Sequence, residues 1–245
     1  MTTASNWSSP PAGVTLNRRE IHLWRAHLDT DRTTIQFWKA ALAQDELERA
    51  QRFAFPRDRD RFIAGRGILR AILGRYMCKP PGSIEFVYDP HGKPRLSLSQ
   101  SDPPIRFNLS HSHGLALYAF SCDREIGIDI EAIRSEGSEE GIAEHFFSSK
   151  ELTEFRLLAA EQRTLGFFLC WTRKEAYVKA LGAGLVAPLD NFSVSLTPGS
   201  PDRLLSADSD SWMLRSFEPE VGYAGAVVAQ GKDWTLCFWE FNHRE

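Results

Sequence analysis

Short runs of alternating apolar and polar residues recur along the chain and predict β-strands. In the first half these runs are IHLWRAHL, IEFVYD, KPRLSL, IRFNLS and LALYAFS, and in the second half they are IGIDIE, NFSVSL, WMLRSF, YAGAVVA and WTLCFWEF. An alternation of period two places successive side chains on opposite faces of a sheet. Turn-rich links between many of these runs favour antiparallel pairing of neighbouring strands.

Apolar residues at helical spacing predict helices in the first half of the chain. A short helix is expected at Phe37 to Leu42, and Asp45 is the predicted N-cap of the next helix, with Glu48 as its capping-box partner. A longer helix is expected where Phe62, Leu69, Ile72, Leu73 and Tyr76 recur on one side. The arginines between these apolar positions are expected on another side of that helix.

The second half repeats this arrangement of a leading strand followed by helices. An acidic loop is expected from Arg134 to Glu144, and Ser148 with Glu151 three residues later marks a helix start. A longer helix is expected from Phe167 to Leu181, ending at Gly182.

Each half therefore combines helices with a mostly antiparallel sheet, and the predicted fold class is α+β. We place the approximate boundary so that residues 1–124 form one subdomain and residues 125–245 the other. The chain has 245 residues, of which 42% are hydrophobic, so it can bury a sizeable core as one large or two small domains. Two such halves imply a cleft between them.

The formal net charge of -3 is unevenly distributed between the halves. Up to Glu125 there are 18 lysines and arginines against 13 acidic residues, whereas the remainder has 11 against 19. Eight arginines fall between Arg49 and Arg75, which favours a ligand that carries phosphate. The acidic second half would repel a long polyanion, so we predict a small polyphosphate ligand and no nucleic acid.

Cysteine usage and the ends of the chain point to a reducing compartment. The four cysteines are widely spaced without a pairing motif, and the first residues lack a basic segment followed by an apolar core. No apolar run approaches the roughly 18 residues of a membrane span. We therefore predict a cytoplasmic protein without a membrane anchor.

The strand IGIDIE carries two acidic residues on one face. Asp129 and Glu131 alternate with three isoleucines, so their backbone positions lie about 6.6 Å apart on the same side of the strand. Two carboxylates at this spacing can close around one hard cation such as Mg2+. The alternative is the wet face of an antiparallel sheet, where acidic residues are common.

The segment WTRKEAYVKALGAG places an acid and a base on one side of a helix. Glu175 and Lys179 are separated by four residues and therefore by about one turn. Alone, such a pair is also typical of a solvated surface, where it contributes a few tenths of a kcal/mol.

The segment IRFNLSHSHG ends a predicted strand with small polar donors that could bind phosphate oxygens. A zinc site at His111 and His113 is disfavoured, because the two are neighbours at i and i+2 and no third ligand is near. A purely structural role, in which these side chains satisfy backbone groups of a hairpin, is left open.

The order of these motifs resembles one known family. NLSHS, GIDIE and WTRKEAYVKALGAGL follow ELERAQRF and HGKPRL, and together they are similar to the 4'-phosphopantetheinyl transferase superfamily, in its longer surfactin-synthetase-activator type. The resemblance implies transfer of 4'-phosphopantetheine from coenzyme A to a serine of an apo acyl or peptidyl carrier protein, with release of adenosine 3',5'-bisphosphate. It also implies a Mg2+ cofactor, with Mn2+ as a substitute, and a monomer whose two halves are related by a pseudo-twofold axis with the active site at their junction.

The resemblance also assigns roles to individual residues. The implied metal ligands are Asp129, Glu131 and Glu175. Glu175, or a metal-bound water beside it, is the candidate base for the serine proton, and Lys179 would neutralise or protonate the leaving phosphate. The implied coenzyme A ligands are Arg49, Lys93, Asn108, Ser110, His111 and Lys174. Of these, the Lys174 side chain is expected to point about 100° away from Glu175.

Other functions are compatible with parts of this pattern. A noncatalytic protein that binds coenzyme A or a carrier on the same scaffold would not need a complete set of metal and proton-transfer residues. A metal-dependent phosphohydrolase is disfavoured because a second metal cluster of His and Asp is missing. The sequence does not specify the pathway of the carrier. Residues 136–155, with Phe146, Phe147 and Leu152 as anchors or as core residues, form the predicted docking region.

Overall fold

The computed structural model of the chain describes residues 6–90, 92–97, 99, 102–135, 137–182, 188–206 and 208–243. His91 of the HGKPRL motif, residues 183–185 of the WTRKEAYVKALGAGL motif and Glu136 of the predicted docking region lie outside the described residues. Of the helices in these ranges, none combines the length and the apolar character that a bilayer crossing requires.

Helices and strands follow one another in nearly the same order in both halves. The first half contains β1 (Glu20–His27), α1 (Arg32–Ala40), α2 (Gln44–Gln51), α3 (Pro56–Met77), β2 (Phe86–Tyr88), β3 (Pro94–Leu96), β4 (Ile105–Ser112) and β5 (Leu115–Cys122). The second half contains β6 (Ile126–Ala132), α4 (Glu139–Phe146), α5 (Ser149–Leu157), α6 (Ala160–Leu181), β7 (Ser193–Val194), β8 (Leu204–Leu205), β9 (Trp212–Phe217), β10 (Tyr223–Gln230) and β11 (Thr235–Glu240).

The two halves share a topology, which confirms the predicted α+β fold with two similar parts. In each half a leading strand precedes three helices, a short hairpin and an antiparallel pair, and the sheet orders β1-β5-β4 and β6-β10-β9 correspond. Helices α3 and α6 each have 22 residues and end at a left-handed residue, Cys78 and Gly182. Strand β11 departs from the repeat because it returns to pair in parallel with β1. The boundary between residues 124 and 125 stays a prediction.

Three apolar clusters hold the sheets and helices in layers. Strand β5 alternates between two of them: Tyr118 and Phe120 face the cluster beneath α1 and α3, whereas Leu117 and Ala119 face the second sheet. The other face of that second sheet packs against α4, α5 and α6 through residues such as Val228. The resulting order is helix, sheet, sheet, helix, as expected when each sheet must bury both faces.

Two predictions about the first short helices are wrong in detail. Helix α1 begins at Arg32, five residues before Phe37, because the Asp31 side chain caps it through Thr34 N. Helix α2 has Ala43 at its N-cap instead of Asp45, and the Ala43 amide donates to Glu46 Oε2 at 2.9 Å. The Glu46 carboxylate thus performs the N-terminal capping that we had assigned to Glu48.

In the second half the helix start at Ser148 and the end of α6 at Gly182 are confirmed. The predicted acidic loop is wrong over part of its length, because α4 begins within it at Glu139. Arg156 contacts Glu140 and Glu144 and offsets the acidic charge of that helix. Helix α6 begins seven residues before Phe167, at Ala160.

The arginine-rich surface that we expected on α3 is partly an internal ion-pair network. Arg66 and Arg70 are buried, and each donates a hydrogen bond to the buried Glu46 carboxylate, at 2.6 and 2.7 Å. A buried carboxylate is stable when it is paired and hydrogen-bonded in this way. These two guanidinium groups therefore connect α3 to α2, and neither is freely exposed to solvent.

Candidate active site

A cleft of about 340 Å³ lies between α3, the β2–β3 hairpin, β4 and α6. Six residues of the predicted site line it, namely Arg49, Lys93, Asn108, His111, Glu175 and Lys179. Both halves of the chain contribute walls to this cleft. The basic residues of the first half thus face the acid and base of α6.

Asp129 is the most buried carboxylate of the site, with 3% of its surface exposed. Its Oδ1 atom accepts a hydrogen bond from Ser110 Oγ at 2.8 Å and lies 2.6 Å from Lys179 Nζ. Its Oδ2 atom is buried and has no hydrogen-bond partner among the residues that the structure describes. Because burying an unsatisfied carboxylate oxygen is costly, this atom is suited to a ligand such as a cation.

Glu131 lies two residues farther along β6, on the same face as Asp129. Its Oε2 atom accepts a hydrogen bond from Ser112 Oγ at 2.9 Å. Burial raises the pKa of Glu131, and the nearby Asp129 charge raises it further. A cation bound between these two carboxylates would relieve both effects.

Glu175 faces the same region from α6. Burial raises its pKa, Lys179 opposes that rise and Asp129 adds to it. Among the residues that the structure describes, Glu175 has no hydrogen-bond partner. A half-buried carboxylate that holds its proton more tightly than usual is suited to accept one at neutral pH.

The three carboxylates form an all-oxygen donor set of the kind that hard cations prefer. In this structure their ligand atoms do not all lie within 4.8 Å of one another. The Lys179 ammonium lies beside Asp129 and supplies positive charge there. The donor set and the unpaired Asp129 Oδ2 together fit a divalent cation.

Side chains of β4 satisfy backbone amides along the adjacent edge of β6. Asn108 Oδ1 accepts from Ile128 N at 2.9 Å, and Ser112 Oγ accepts from Ala132 N at 3.2 Å. Ser110, between them, contacts Asp129. Our sequence analysis missed the role of Ser112, although the alternation of Asn108, Ser110 and Ser112 on one face of a strand is a signal that could have identified it.

Gly127 allows α6 to approach β6 closely. A Cβ atom at this position would lie 2.0 Å from Ala176 O and 2.3 Å from Ala180 N, which is far inside van der Waals contact. The absence of a side chain at Gly127 therefore sets the spacing between strand and helix. That spacing brings Lys179 to Asp129.

Lys93 joins the hairpin of the first half to β6 and α6 of the second half. Its Nζ atom donates to Lys179 O at 2.5 Å and to Ile126 O at 3.2 Å. Burial lowers the pKa of Lys93 to about 8. This ammonium lines the cleft, but its hydrogen bonds in this structure are to backbone carbonyls.

Lys174, the sixth of the predicted coenzyme A ligands, does not line the cleft. The side chain is fully buried, and its Nζ atom lies 2.7 Å from Glu151 Oε2. It also donates to Leu189 O at 2.6 Å and to Phe192 O at 2.7 Å. Lys174 points away from Glu175, as its helical position predicts, and neutralises the carboxylate that caps α5.

Two arginines on the first-half side of the cleft differ in their freedom to bind a ligand. Arg61 is held by Asp29 through hydrogen bonds of 2.7 and 2.6 Å. Arg49 is exposed and stacks over Phe62, with its guanidinium carbon 5.5 Å from the ring centroid. Within the described residues Arg49 has no hydrogen-bonded partner, so its five donors are available to phosphate oxygens.

We expect the metal-free protein to gain stability when Glu175 is replaced by glutamine. A carboxyl whose pKa is raised on folding favours the folded state in its protonated form, so its ionisation lowers stability as pH rises from the unfolded value of 4.5 through the folded value. Glu175→Gln removes this loss. Urea unfolding in the presence of a chelator, from pH 4 to pH 7, should show a free energy of unfolding that declines less for the variant than for the wild type.

Glu154→Gln is a matched control on the neighbouring helix α5, where the carboxylate accepts a hydrogen bond from Thr197 at 2.5 Å. It should not reproduce the gain. Parallel pH profiles for wild type and Glu175→Gln would contradict the elevated pKa of Glu175.

Each half of the chain matches a model of a known protein family. Residues 27–122 match the family model described as 4'-phosphopantetheinyl transferase, N-terminal, and residues 125–229 match that of the 4'-phosphopantetheinyl transferase superfamily. The chain is 43% identical over 235 residues to the 4'-phosphopantetheinyl transferase HetI of Nostoc sp., covering 96% of this chain and 98% of that protein. It is 31% identical to the 4'-phosphopantetheinyl transferase Sfp of Bacillus subtilis, over 79% of this chain and 84% of Sfp.

A solved structure of a holo-(acyl-carrier-protein) synthase from Bacillus anthracis, in complex with CoA (3',5'-ADP), is also similar. It is 23% identical, with a TM-score of 0.38, and the match covers 43% of this chain and 94% of that chain.

Proposed function

The chain belongs to the 4'-phosphopantetheinyl transferase superfamily and is a 4'-phosphopantetheinyl transferase, and from this premise we propose how its cleft performs the reaction. The donor is coenzyme A, the acceptor is a serine hydroxyl of an apo acyl or peptidyl carrier protein, and the second product is adenosine 3',5'-bisphosphate. The observation that carries the proposal is the convergence of Asp129, Glu175 and Lys179 at a cleft whose opposite wall is basic.

Asp129, Glu131 and Glu175 are the residues that would hold a Mg2+ ion, with Mn2+ as a substitute. Such an ion supplies positive charge that stabilises the pyrophosphate oxygens during displacement. The buried and unpaired Asp129 Oδ2 supports this assignment. The raised pKa of Glu131, which comes from burial and then from Asp129, is a further sign that these carboxylates require a positive partner.

Glu175 and Lys179 take different parts in the transfer. The Glu175 carboxylate accepts the proton of the attacking serine hydroxyl as the new oxygen–phosphorus bond forms, because it lines the cleft and has no hydrogen-bond partner among the described residues. The bond between phosphorus and the bridging oxygen breaks, and negative charge develops on the nucleotide phosphate. The Lys179 ammonium, hydrogen-bonded to Asp129 and Ser110, neutralises that charge.

The nucleotide end of coenzyme A occupies the basic wall. Arg49 and His111 are exposed in the cleft and bind its phosphate oxygens. Lys93 contributes its ammonium from the hairpin. Asn108 and Ser110 act mainly by holding β4 against β6, since the Asn108 amide oxygen and the Ser110 hydroxyl are already committed to β6.

We expect Arg49→Met to raise the KM for coenzyme A by about 10-fold, or about 1.4 kcal/mol, with kcat nearly unchanged. Methionine retains an apolar stem over Phe62 but loses the guanidinium. Steady-state kinetics with coenzyme A and with dephospho-coenzyme A will locate the contact. If Arg49 binds the 3'-phosphate, the loss should disappear with the truncated donor.

Arg52→Met removes an equal charge from an exposed residue of the same segment that does not line the cleft, so it tests for a general charge effect. An equal rise in KM for both variants would exclude a specific contact of Arg49.

The acceptor docks beside the metal ligands in our proposal. A groove of about 180 Å³ adjoins Glu131 and is lined in part by Ile142, Phe168 and Trp171. Phe146 is 41% exposed and packs edge-on against Trp171, whereas Phe147 is buried in the core. Of the two phenylalanines, we therefore propose Phe146 as the apolar anchor for the carrier.

Incubation of the protein with coenzyme A, Mg2+ and a panel of apo carrier proteins, followed by intact mass measurement, tests the function directly. The expected result is addition of one phosphopantetheine to a carrier and its loss when the acceptor serine is replaced by alanine. Unmodified carriers across acyl and peptidyl classes, with folded enzyme and saturating donor, would oppose the proposal.

We further propose that the protein acts as a cytoplasmic monomer.

A further inference from the structure

A second group of metal-binding side chains lies where the last strand returns to the first. Glu20 and His22 share one face of β1, and the register of the parallel β1–β11 pair places Cys237 opposite His22. One ligand atom from each of the three lies within 4.8 Å of the others. We propose that Glu20, His22 and Cys237 form a zinc site.

The spacing of two of these atoms also fits a cation bound by both of them. His22 Nε2 and Glu20 Oε2 are 3.4 Å apart. That distance is long for a hydrogen bond. Two ligand atoms at about 2.1 Å from a tetrahedral zinc ion lie about 3.4 Å apart. Cys237 Sγ, within 4.8 Å of both atoms, would supply the third ligand, and water would take the fourth position.

The surroundings of His22 orient the ring for such a site. Its Nδ1 atom lies 2.7 Å from Tyr76 Oη, which also accepts a hydrogen bond from Trp24 Nε1 at 2.8 Å. The Tyr76 contact leaves Nε2 directed toward Glu20. A ring nitrogen fixed by a second partner is typical of histidines that bind metals.

The chemistry of the donors selects the metal. A thiolate, an imidazole and a carboxylate together suit Zn2+, whereas Mg2+ binds oxygen donors. On binding, the Cys237 S–H bond is replaced by an S–Zn bond, and the proton leaves to solvent. Glu20 is already held by Asn17 Nδ2 at 2.8 Å, which limits the side-chain freedom lost on binding.

This site is separate from the transfer cleft. Tyr76 lies ten residues beyond the cleft residue Arg66 on α3, or about 15 Å along the helix axis. A zinc ion held by these residues would link β11 to β1.

The test is titration of chelator-treated full-length protein with Co2+, which replaces Zn2+ and gives a thiolate-to-cobalt charge-transfer band in the near ultraviolet. The wild type should saturate at one cobalt per chain, and Zn2+ should remove the band. Cys237→Ser should abolish the band, and Glu20→Gln should weaken Co2+ affinity by about 10-fold. Cys122→Ser changes a partly buried cysteine at the end of β5 and should leave the band intact.

Thermal unfolding provides a second measurement that does not depend on cobalt. Zinc at about 100 times its Kd should raise the Tm of the wild type by about 5 to 10 °C and leave that of Cys237→Ser unchanged. Transfer activity should be equal in wild type and Cys237→Ser. A wild type without a saturable band, or a band that survives Cys237→Ser, would overturn the site.

Discussion

Replacing Asp129 by asparagine is expected to lower kcat for transfer by at least about 100-fold, which corresponds to about 2.7 kcal/mol of transition-state stabilisation. Asparagine has nearly the same shape, so the fold should persist. The substitution removes one negative charge from the proposed cation site. It also removes the charge that pairs with Lys179 Nζ, which lies 2.6 Å from Asp129 Oδ1. Single-turnover measurements with saturating coenzyme A and carrier isolate the chemical step from binding.

Asp202→Asn is the matched control for Asp129→Asn. Asp202 accepts a hydrogen bond from the buried Arg173 at 2.7 Å and another from Ser216 N at 2.7 Å, and it does not line the transfer cleft. This control should lower the Tm while leaving kcat of the folded enzyme close to that of the wild type. If both asparagine variants retain wild-type kcat, the assignment of Asp129 is wrong.

Gly127→Ala is expected to disable the enzyme by moving a helix rather than by removing a reactive group. The new Cβ would meet Ala176 O at 2.0 Å and Ala180 N at 2.3 Å, and both are backbone atoms of α6. Overpacking of this severity should cost at least about 3 kcal/mol. The Tm should fall by about 6 to 12 °C for a chain of this size.

Because α6 must retreat from β6, the folded fraction of Gly127→Ala should also lose transfer. Gly141→Ala provides the comparison: Gly141 lies in α4 with open space around its Cβ position, and alanine there should be neutral or stabilising. Tm and activity per folded molecule should be recorded for both variants. A Gly127→Ala enzyme with wild-type activity would show that the contact between β6 and α6 does not position Lys179.

The sequence was most informative where one periodicity determined which side chains share a face. The alternation in IGIDIE placed Asp129 and Glu131 together, and the four-residue spacing placed Glu175 and Lys179 on one side of α6. In each case the local geometry of a strand or a helix is sufficient. The contact between the IGIDIE strand and the α6 segment depends on tertiary structure. The order of the motifs along the chain, rather than any residue spacing, predicted that the two segments belong to one site.

Predictions from charge were less reliable, because a charged residue does not reveal its partner. Arg66 and Arg70 contributed to the expected phosphate-binding surface, yet Glu46 binds both in the interior. Lys174 was assigned to the cleft, yet it neutralises Glu151. Glu46 lies 20 residues before Arg66, and Glu151 lies 23 residues before Lys174. No local pattern in the sequence therefore identifies these pairs.

The contact between β4 and β6 has a consequence for solubility. Each strand lies at an edge of its own sheet, where free amides can pair with a strand of another molecule. Asn108 and Ser112 occupy two of the β6 amides, those of Ile128 and Ala132, with side-chain oxygens. The polar side chains that hold β4 against β6 therefore also protect β6 from edge-to-edge aggregation, so replacing either of them would expose an edge amide as well as disturb the site.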